Sequence, residues 1–241
     1  MSVKDFDIQH FHTDKIGYLE YYDKVFSPIK NNVKKMLELG IYHGGSLQMW
    51  EKFFTKADII GVDIEKIDVP NSGRVKIYQG DQKDTSLLNK ITGDCAPEGF
   101  DIIIDDASHF GKETFISFIY LFKNSLKSKG VYVIEDWGTG YWPHFPDGRN
   151  ITLDKHHVSY HLHTDTDYDF KQKGLVSKGP FLNNRRFQSH DYGMVGLIKQ
   201  IIDELAIEQA TLPQYTNKES TYKTFIENIL ITPGQCFIFK K

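Results

Sequence analysis

Between Asn32 and Lys129, short apolar runs alternate with segments whose apolar residues recur at helical spacing. The runs predict strands at Lys35–Leu39, Asp58–Asp63, Val75–Gln79, Phe100–Asp105 and Gly130–Glu135. Between them, Leu47, Trp50, Phe53 and Phe54 mark a helix over Ser46–Phe54, and Phe115, Phe118, Ile119 and Phe122 mark another over Thr114–Ser125. Gly130, after SLKSK, reads as a helix stop. The alternation predicts βαβ units and a mostly parallel sheet.

The two ends of the chain differ in style. Lys15–Phe26 reads as a short aromatic-rich helix placed to cap a pocket, and Met194–Ile207 as an amphipathic helix. Ile229–Thr232 and Cys236–Phe239 flank Pro233-Gly234 as a hairpin. The expected architecture is α/β and Rossmann-like: a mostly parallel seven-stranded sheet ending in an antiparallel hairpin. Residues 1–30 form a helical cap and residues 31–241 the main domain, with 138–192 as a variable substrate-loop insertion.

Composition removes several classes. Of 241 residues, 25% are charged and 40% hydrophobic, and the net charge is -3, which speaks against a nucleic-acid partner. No apolar stretch approaches the roughly 18 residues of a membrane span. The segment MSVKDFDIQHFHTDK lacks an apolar signal core, and Cys95 and Cys236 alone make no disulfide framework, so a cytoplasmic home is expected. Aromatic residues make up 14%, and many of them fall with histidines between Trp137 and Tyr192, where they could shape a polar pocket.

The chemistry concentrates where strands end. DIIIDD closes on Asp105 and Asp106, and VYVIED on Glu135 and Asp136, at the carboxyl ends where open α/β sheets bind ligands. Converging buried carboxylates repel one another unless a cation lies among them. Asp106, Glu135 and Asp136 are therefore expected to share a divalent ion, and hard oxygen donors favour Mg²⁺, Mn²⁺ or Ca²⁺. Such an ion could fix two adjacent hydroxyls, a pattern typical of a sugar, and His109, three residues after Asp106, is placed to act as the base. Asp105 either caps the following helix or borders the reactive end of a cofactor.

LELGIYHGGSLQMW runs from strand through glycine turn into helix, with Gly40, Gly44 and Gly45 where backbone must approach a ligand closely and Ser46 opening the helix. The spacing is not that of the dinucleotide fingerprint. It suits a cofactor carrying an amino acid and no phosphate, whose ammonium Glu38 would hold. Asp63, about 20 residues beyond the turn, is expected to accept ribose hydroxyls, and Asp81 with Gln82 to meet an adenine edge.

LELGIYHGGSLQMW, GVDI, QGDQKD, DIIIDDASH, VYVIED and DKIGYLEYY together resemble the motifs of metal-dependent sugar O-methyltransferases, a family that includes macrolide-sugar methyltransferases. The resemblance covers roughly Asp14–Trp142 and the terminal hairpin. It implies S-adenosylmethionine as cofactor, Mg²⁺ on Asp106, Glu135 and Asp136, His109 as base, a sugar acceptor and a homo-oligomer. Two rivals share these residues: a methyltransferase acting on catechols, and an iron-dependent hydroxylase of a related branch. In the variable segment, His157 and His161 stand at i, i+4 but fit an exposed loop better than a zinc site, and Arg149, Arg185 and Arg186 could meet the phosphate of a nucleotide-linked sugar.

Overall fold

The computed structural model describes residues 2–5, 11–69, 73–142, 144–145, 147, 158–159, 189–190, 193–215 and 221–241. Strands β1 (Lys35–Leu39), β2 (Asp58–Asp63), β3 (Val75–Gln79) and β4 (Phe100–Asp105) fall where the apolar runs predict them. β5 (Leu126–Glu135) begins four residues before its predicted start, because the preceding helix ends at Asn124 and Gly130 lies inside the strand. Gly130 is thus no helix stop. A register shift between Phe100 and Ile102 absorbs the early start of β5.

Two strand pairs complete the described sheets: the short β6 (Val158–Ser159) and β7 (Ser189–His190), and the C-terminal hairpin of β8 (Ile226–Ile231) and β9 (Gln235–Lys240). The main sheet has seven strands in the order β3-β2-β1-β4-β5-β9-β8. β1 to β5 pair in parallel, while β9 runs antiparallel to both β5 and β8. The predicted fold class is therefore the observed one.

The helices are α1 (Leu19–Phe26), α2 (Gly45–Phe53), α3 (Thr85–Cys95), α4 (Gly111–Asn124) and α5 (Gly193–Ala210). α1 is preceded by a 3-10 turn over Lys15–Tyr18, so the expected cap helix is split in two. The strand pattern does not reveal α3. Its signals are the Asp84 cap, which accepts from the backbone of Ser86 and Leu87, and the buried Leu88, Ile91 and Cys95 at helical spacing. Among the described residues, no helix is long and apolar enough to cross a membrane.

Strand parity sorts side chains onto two faces. Leu37, Leu39, Ile103, Tyr132 and Ile134 pack with α3, α4 and α5 residues such as Leu88, Phe118 and Leu197. Met36, Ile102, Ile104, Val131 and Val133 pack with α2 and α1 through Trp50, Phe54, Tyr22 and Phe26. Tyr22 lies edge-on to Trp50 at 4.9 Å and to Phe237 at 5.6 Å, so the N-terminal segment is tied into the second core. β1 and β4 are neighbours whose following helices cover opposite faces, which opens a crevice at their carboxyl ends.

Candidate active site

The same parity distributes the acids. Glu38, Asp106 and Glu135 follow the register of the second face, whereas Asp105 belongs to the first. Asp105 is buried and lines neither of the two cavities at the crevice. Its Oδ2 accepts from Ser117 Oγ at 2.5 Å and from Tyr132 Oη at 2.9 Å, and its Oδ1 from Gln82 Nε2 at 3.2 Å. Burial pushes its carboxyl up to about 6, although the Ser117 and Tyr132 hydrogen bonds oppose the shift. The expectation of a cofactor-facing Asp105 is corrected: it organises the buried side of the sheet. Tyr132→Phe should cost about 1–2 kcal/mol, read from the denaturant midpoint, because it removes one donor from a buried carboxylate.

The glycine turn is built for close approach. Gly40 has φ +77°, and a Cβ there would lie 2.2 Å from the Asp106 carbonyl oxygen. Gly44 has φ +75°. Asp63 Oδ2 accepts from the backbone N–H of Ile41 at 2.9 Å and of Tyr42 at 3.0 Å, so this acid braces the turn. Gly40→Ala should destabilise the fold by about 2–4 kcal/mol and open the crevice, measured by thermal unfolding.

A cavity of about 820 Å³ runs along this turn, lined among others by Thr13, Lys15, Gly40, Ser46, Asp63, Asp106 and His109. A second of about 140 Å³ is lined by Asp81, Gln82 and Ser108 and shares Gly40, Asp63 and Ala107 with the first. Volumes of this order suit a nucleoside-sized ligand. Asp81 pairs with Lys83, whose backbone N–H bond contributes most to holding the carboxyl below its usual range. Gln82 has its amide occupied: Oε1 accepts from the Ser108 N–H at 2.8 Å while Nε2 reaches Asp105 and Ser117.

Four acids, Glu38, Asp106, Glu135 and Asp136, fall into two groups that share Asp106. The outer group is Asp106, His109 and Asp136, all partly exposed, with potential ligand atoms within 4.8 Å of one another. His109 Nε2 lies 3.9 Å from Asp106 Oδ1 and 3.7 Å from Asp136 Oδ2. Asp106 and Asp136 are hard oxygen donors of the kind that hold Mg²⁺, and the imidazole stands beside them. His109 and Asp136 also take left-handed backbone, φ 51° and 52°, a strain of about 1–3 kcal/mol each that often accompanies functional positions.

The inner group is Glu38, Asp106 and Glu135, and it encloses the ammonium of Lys15. Lys15 Nζ lies 2.7 Å from Asp106 Oδ2, 2.8 Å from Glu135 Oε1 and 3.1 Å from Glu38 Oε1. The Glu38 contact lacks hydrogen-bond alignment, so its Oε1 is a buried oxygen with only a Coulombic partner. Glu38 Oε2 accepts from Ser46 Oγ at 2.8 Å. The ammonium that Glu38 meets here is thus that of Lys15. Glu135 also accepts from Tyr22 Oη, and Asp136 from Tyr18 Oη.

Burial works against every charge in this cage. It raises the carboxyls of Glu135, Asp106 and Glu38, with Lys15 opposing each shift. It would lower the ammonium of Lys15, but Asp106, Glu135 and Glu38 together hold it well above its usual value. Lys15, Tyr18 and Tyr22 are the site residues that sequence reasoning missed. Their i, i+3, i+7 spacing puts three polar groups on one face of a helical segment, and that is the signal that could have found them. His144 is described, stacked on Trp142 at 5.8 Å. Arg149, His156, His157, His161, His163, Arg185 and Arg186 lie outside the described residues.

The chain thus joins a parallel sheet closed by an antiparallel hairpin to a glycine turn and acids at the strand ends. Residues 19–135 match the FtsJ-like methyltransferase family model. Mycinamicin VI 2''-O-methyltransferase of Micromonospora griseorubida is 38% identical over 146 residues, covering 56% of this chain and 36% of that protein. An 8-demethyl-8-alpha-L-rhamnosyl tetracenomycin-C 2'-O-methyltransferase of Streptomyces olivaceus is 34% identical over 143 residues, covering 55% of this chain and 37% of that protein. The solved structure of the MycE methyltransferase from the mycinamycin biosynthetic pathway, in complex with Mg and SAH, matches all of this chain and 54% of its own at 27% identity and a TM-score of 0.70. The aligned stretch thus spans little more than a third of these curated relatives.

Proposed function

We propose that this protein transfers a methyl group from S-adenosylmethionine to a hydroxyl of a sugar, with Mg²⁺ or Mn²⁺ as resident ion. The observation that carries the reading is the convergence of Asp106, His109 and Asp136 at the cavity that the glycine turn lines. The names of the relatives support it, since they act on sugar hydroxyls, and a MycE structure was solved with Mg, SAH and mycinamycin VI.

Within this reading, Gly40, Ser46 and Asp63 receive the cofactor along the larger cavity, Asp63 by accepting ribose hydroxyls. Asp81 borders the smaller cavity, where the adenine would lie. S-adenosylmethionine supplies a methyl group on a positive sulfur. Asp106 and Asp136 would hold the dication, with Glu135 as the third acid, and the ion when bound supplies Lewis acidity and a fixed position for adjacent hydroxyls. His109 Nε2 would take the hydroxyl proton, and the cofactor when bound would supply the methyl group to that oxygen, its sulfur keeping the electron pair. His109 and the two aspartates contribute chiefly by orienting the reacting oxygen and stabilising its developing charge.

The acceptor would be a nucleotide-linked sugar, a surface polysaccharide or a glycosylated natural product, handled in the cytoplasm by a homo-oligomer. The test is calorimetric titration with S-adenosylmethionine, followed by methyl transfer to a panel of nucleotide-linked sugars and catechols with and without a chelator. Methylated sugar, lost on chelation and restored by Mg²⁺, is expected. Turnover that survives complete metal removal would overturn the metal role, and transfer to catechols alone would overturn the sugar assignment.

A further inference from the structure

We propose that Lys15 is a tethered cation that exchanges with the divalent ion, so that loading the metal releases the N-terminal wall of the cavity. This rests on the metal reading above and adds to it a conformational consequence.

The ammonium of Lys15 sits between Asp106 and Glu135, two of the three acids that reading requires, and it is 1% exposed. Glu135 Oε1 therefore reaches an ion only by giving up Lys15. One positive charge faces three carboxylates in the inner group, two of them buried, and Asp136 adds a fourth acid bonded to Tyr18. A monovalent ammonium leaves this set under-compensated, as the buried Glu38 oxygen without an aligned donor also indicates. A dication brings twice the charge to the same oxygens, and attraction between buried charges grows in proportion.

The exchange would be felt in the cavity. His12, Thr13, Asp14 and Lys15 are consecutive residues of its wall, and Lys15, Tyr18 and Tyr22 fasten the following segment to Asp106, Glu135 and Asp136. When Lys15 withdraws, the contact between this wall and the acid cage is lost, while Tyr22 and Phe26 stay anchored in the core. Metal arrival and freedom of the wall are then one event, which admits ligands after the ion.

The test uses the unaltered protein. Lysines are acetylated with an amine-reactive ester, with chelator or with saturating Mn²⁺, and the modified sites are mapped by mass spectrometry; calorimetry on the same preparation measures Mn²⁺ binding. Lys15 should be protected with chelator and modified at least about tenfold faster with Mn²⁺, while exposed Lys24 stays unchanged. Mn²⁺ binding with Lys15 still protected would overturn the exchange, leaving the metal site standing. Absence of Mn²⁺ binding would remove the metal reading and the exchange with it. As a second arm, Lys15→Met should bind Mn²⁺ about tenfold or more tightly than the unaltered protein, and equal or weaker binding would overturn the proposal.

Discussion

Replacing His109 with alanine is expected to lower methyl transfer by about a hundredfold or more while S-adenosylmethionine binds with unchanged affinity. The imidazole stands 3.7–3.9 Å from both partly exposed aspartates, where it can reach a hydroxyl oriented by them. Ser46, which lines the cavity at the glycine turn, has its hydroxyl bonded to Glu38 and not to this imidazole. Because His109 has φ 51°, an alanine also carries a backbone penalty. His109→Asn separates the two effects, since asparagine tolerates left-handed backbone but is not a base. Equal loss of turnover in both variants assigns the effect to proton removal. Recovery in the asparagine variant, or a parallel loss of cofactor affinity, would count against that role. The measurements are single-turnover transfer and calorimetry.

How far the site could be read in advance depended on which interactions are local. The five parallel strands and the hairpin follow from apolar runs of strand length bounded by turn residues, and the structure has them at Lys35–Leu39 through Phe100–Asp105 and in β8 and β9. Gly130 misled because glycine stops helices and also fits a strand beside a register shift, and only the pairing of Phe100 with Leu126 decides between them. Asp105 and Asp106 are equivalent by composition but opposite by strand parity. Ile102 and Ile104 share the parity of Asp106 and pack on the N-terminal side, so alternation along the strand already separates the pair.

Glu38 and Glu135 were harder. Their partner, Lys15, is 23 and 120 residues away in the chain, and nothing local to a strand end shows that an ammonium will arrive there. Carboxylates that close apolar strands do announce that some cation must come, because burial without one is too costly. They do not say whether it is a metal or a lysine. That ambiguity is physical, and in this protein both answers meet at Asp106.

Asp106→Asn is therefore expected to abolish divalent binding without unfolding the protein. Removing one partner of a buried ion pair ordinarily costs about 3–5 kcal/mol, because the other charge is left uncompensated. Here Lys15 retains Glu135 at 2.8 Å and Glu38 at 3.1 Å. The lost carboxylate also repels Glu135, and that repulsion ranks next after burial in raising the Glu135 carboxyl. Relief of like-charge repulsion offsets the lost pairing, so the metal-free variant should unfold within about 1 kcal/mol of the unaltered protein. The metal-linked term behaves differently. At a Mn²⁺ concentration a hundred times its Kd, binding to the folded state alone stabilises by about 2.7 kcal/mol, a shift visible in thermal unfolding. Asp106 is the one acid common to both groups, so the asparagine variant should lose that shift entirely, together with methyl transfer. A variant that keeps the Mn²⁺-induced shift would place the ion elsewhere, and one that unfolds without metal would mean that Lys15 depends on Asp106 above its other two partners.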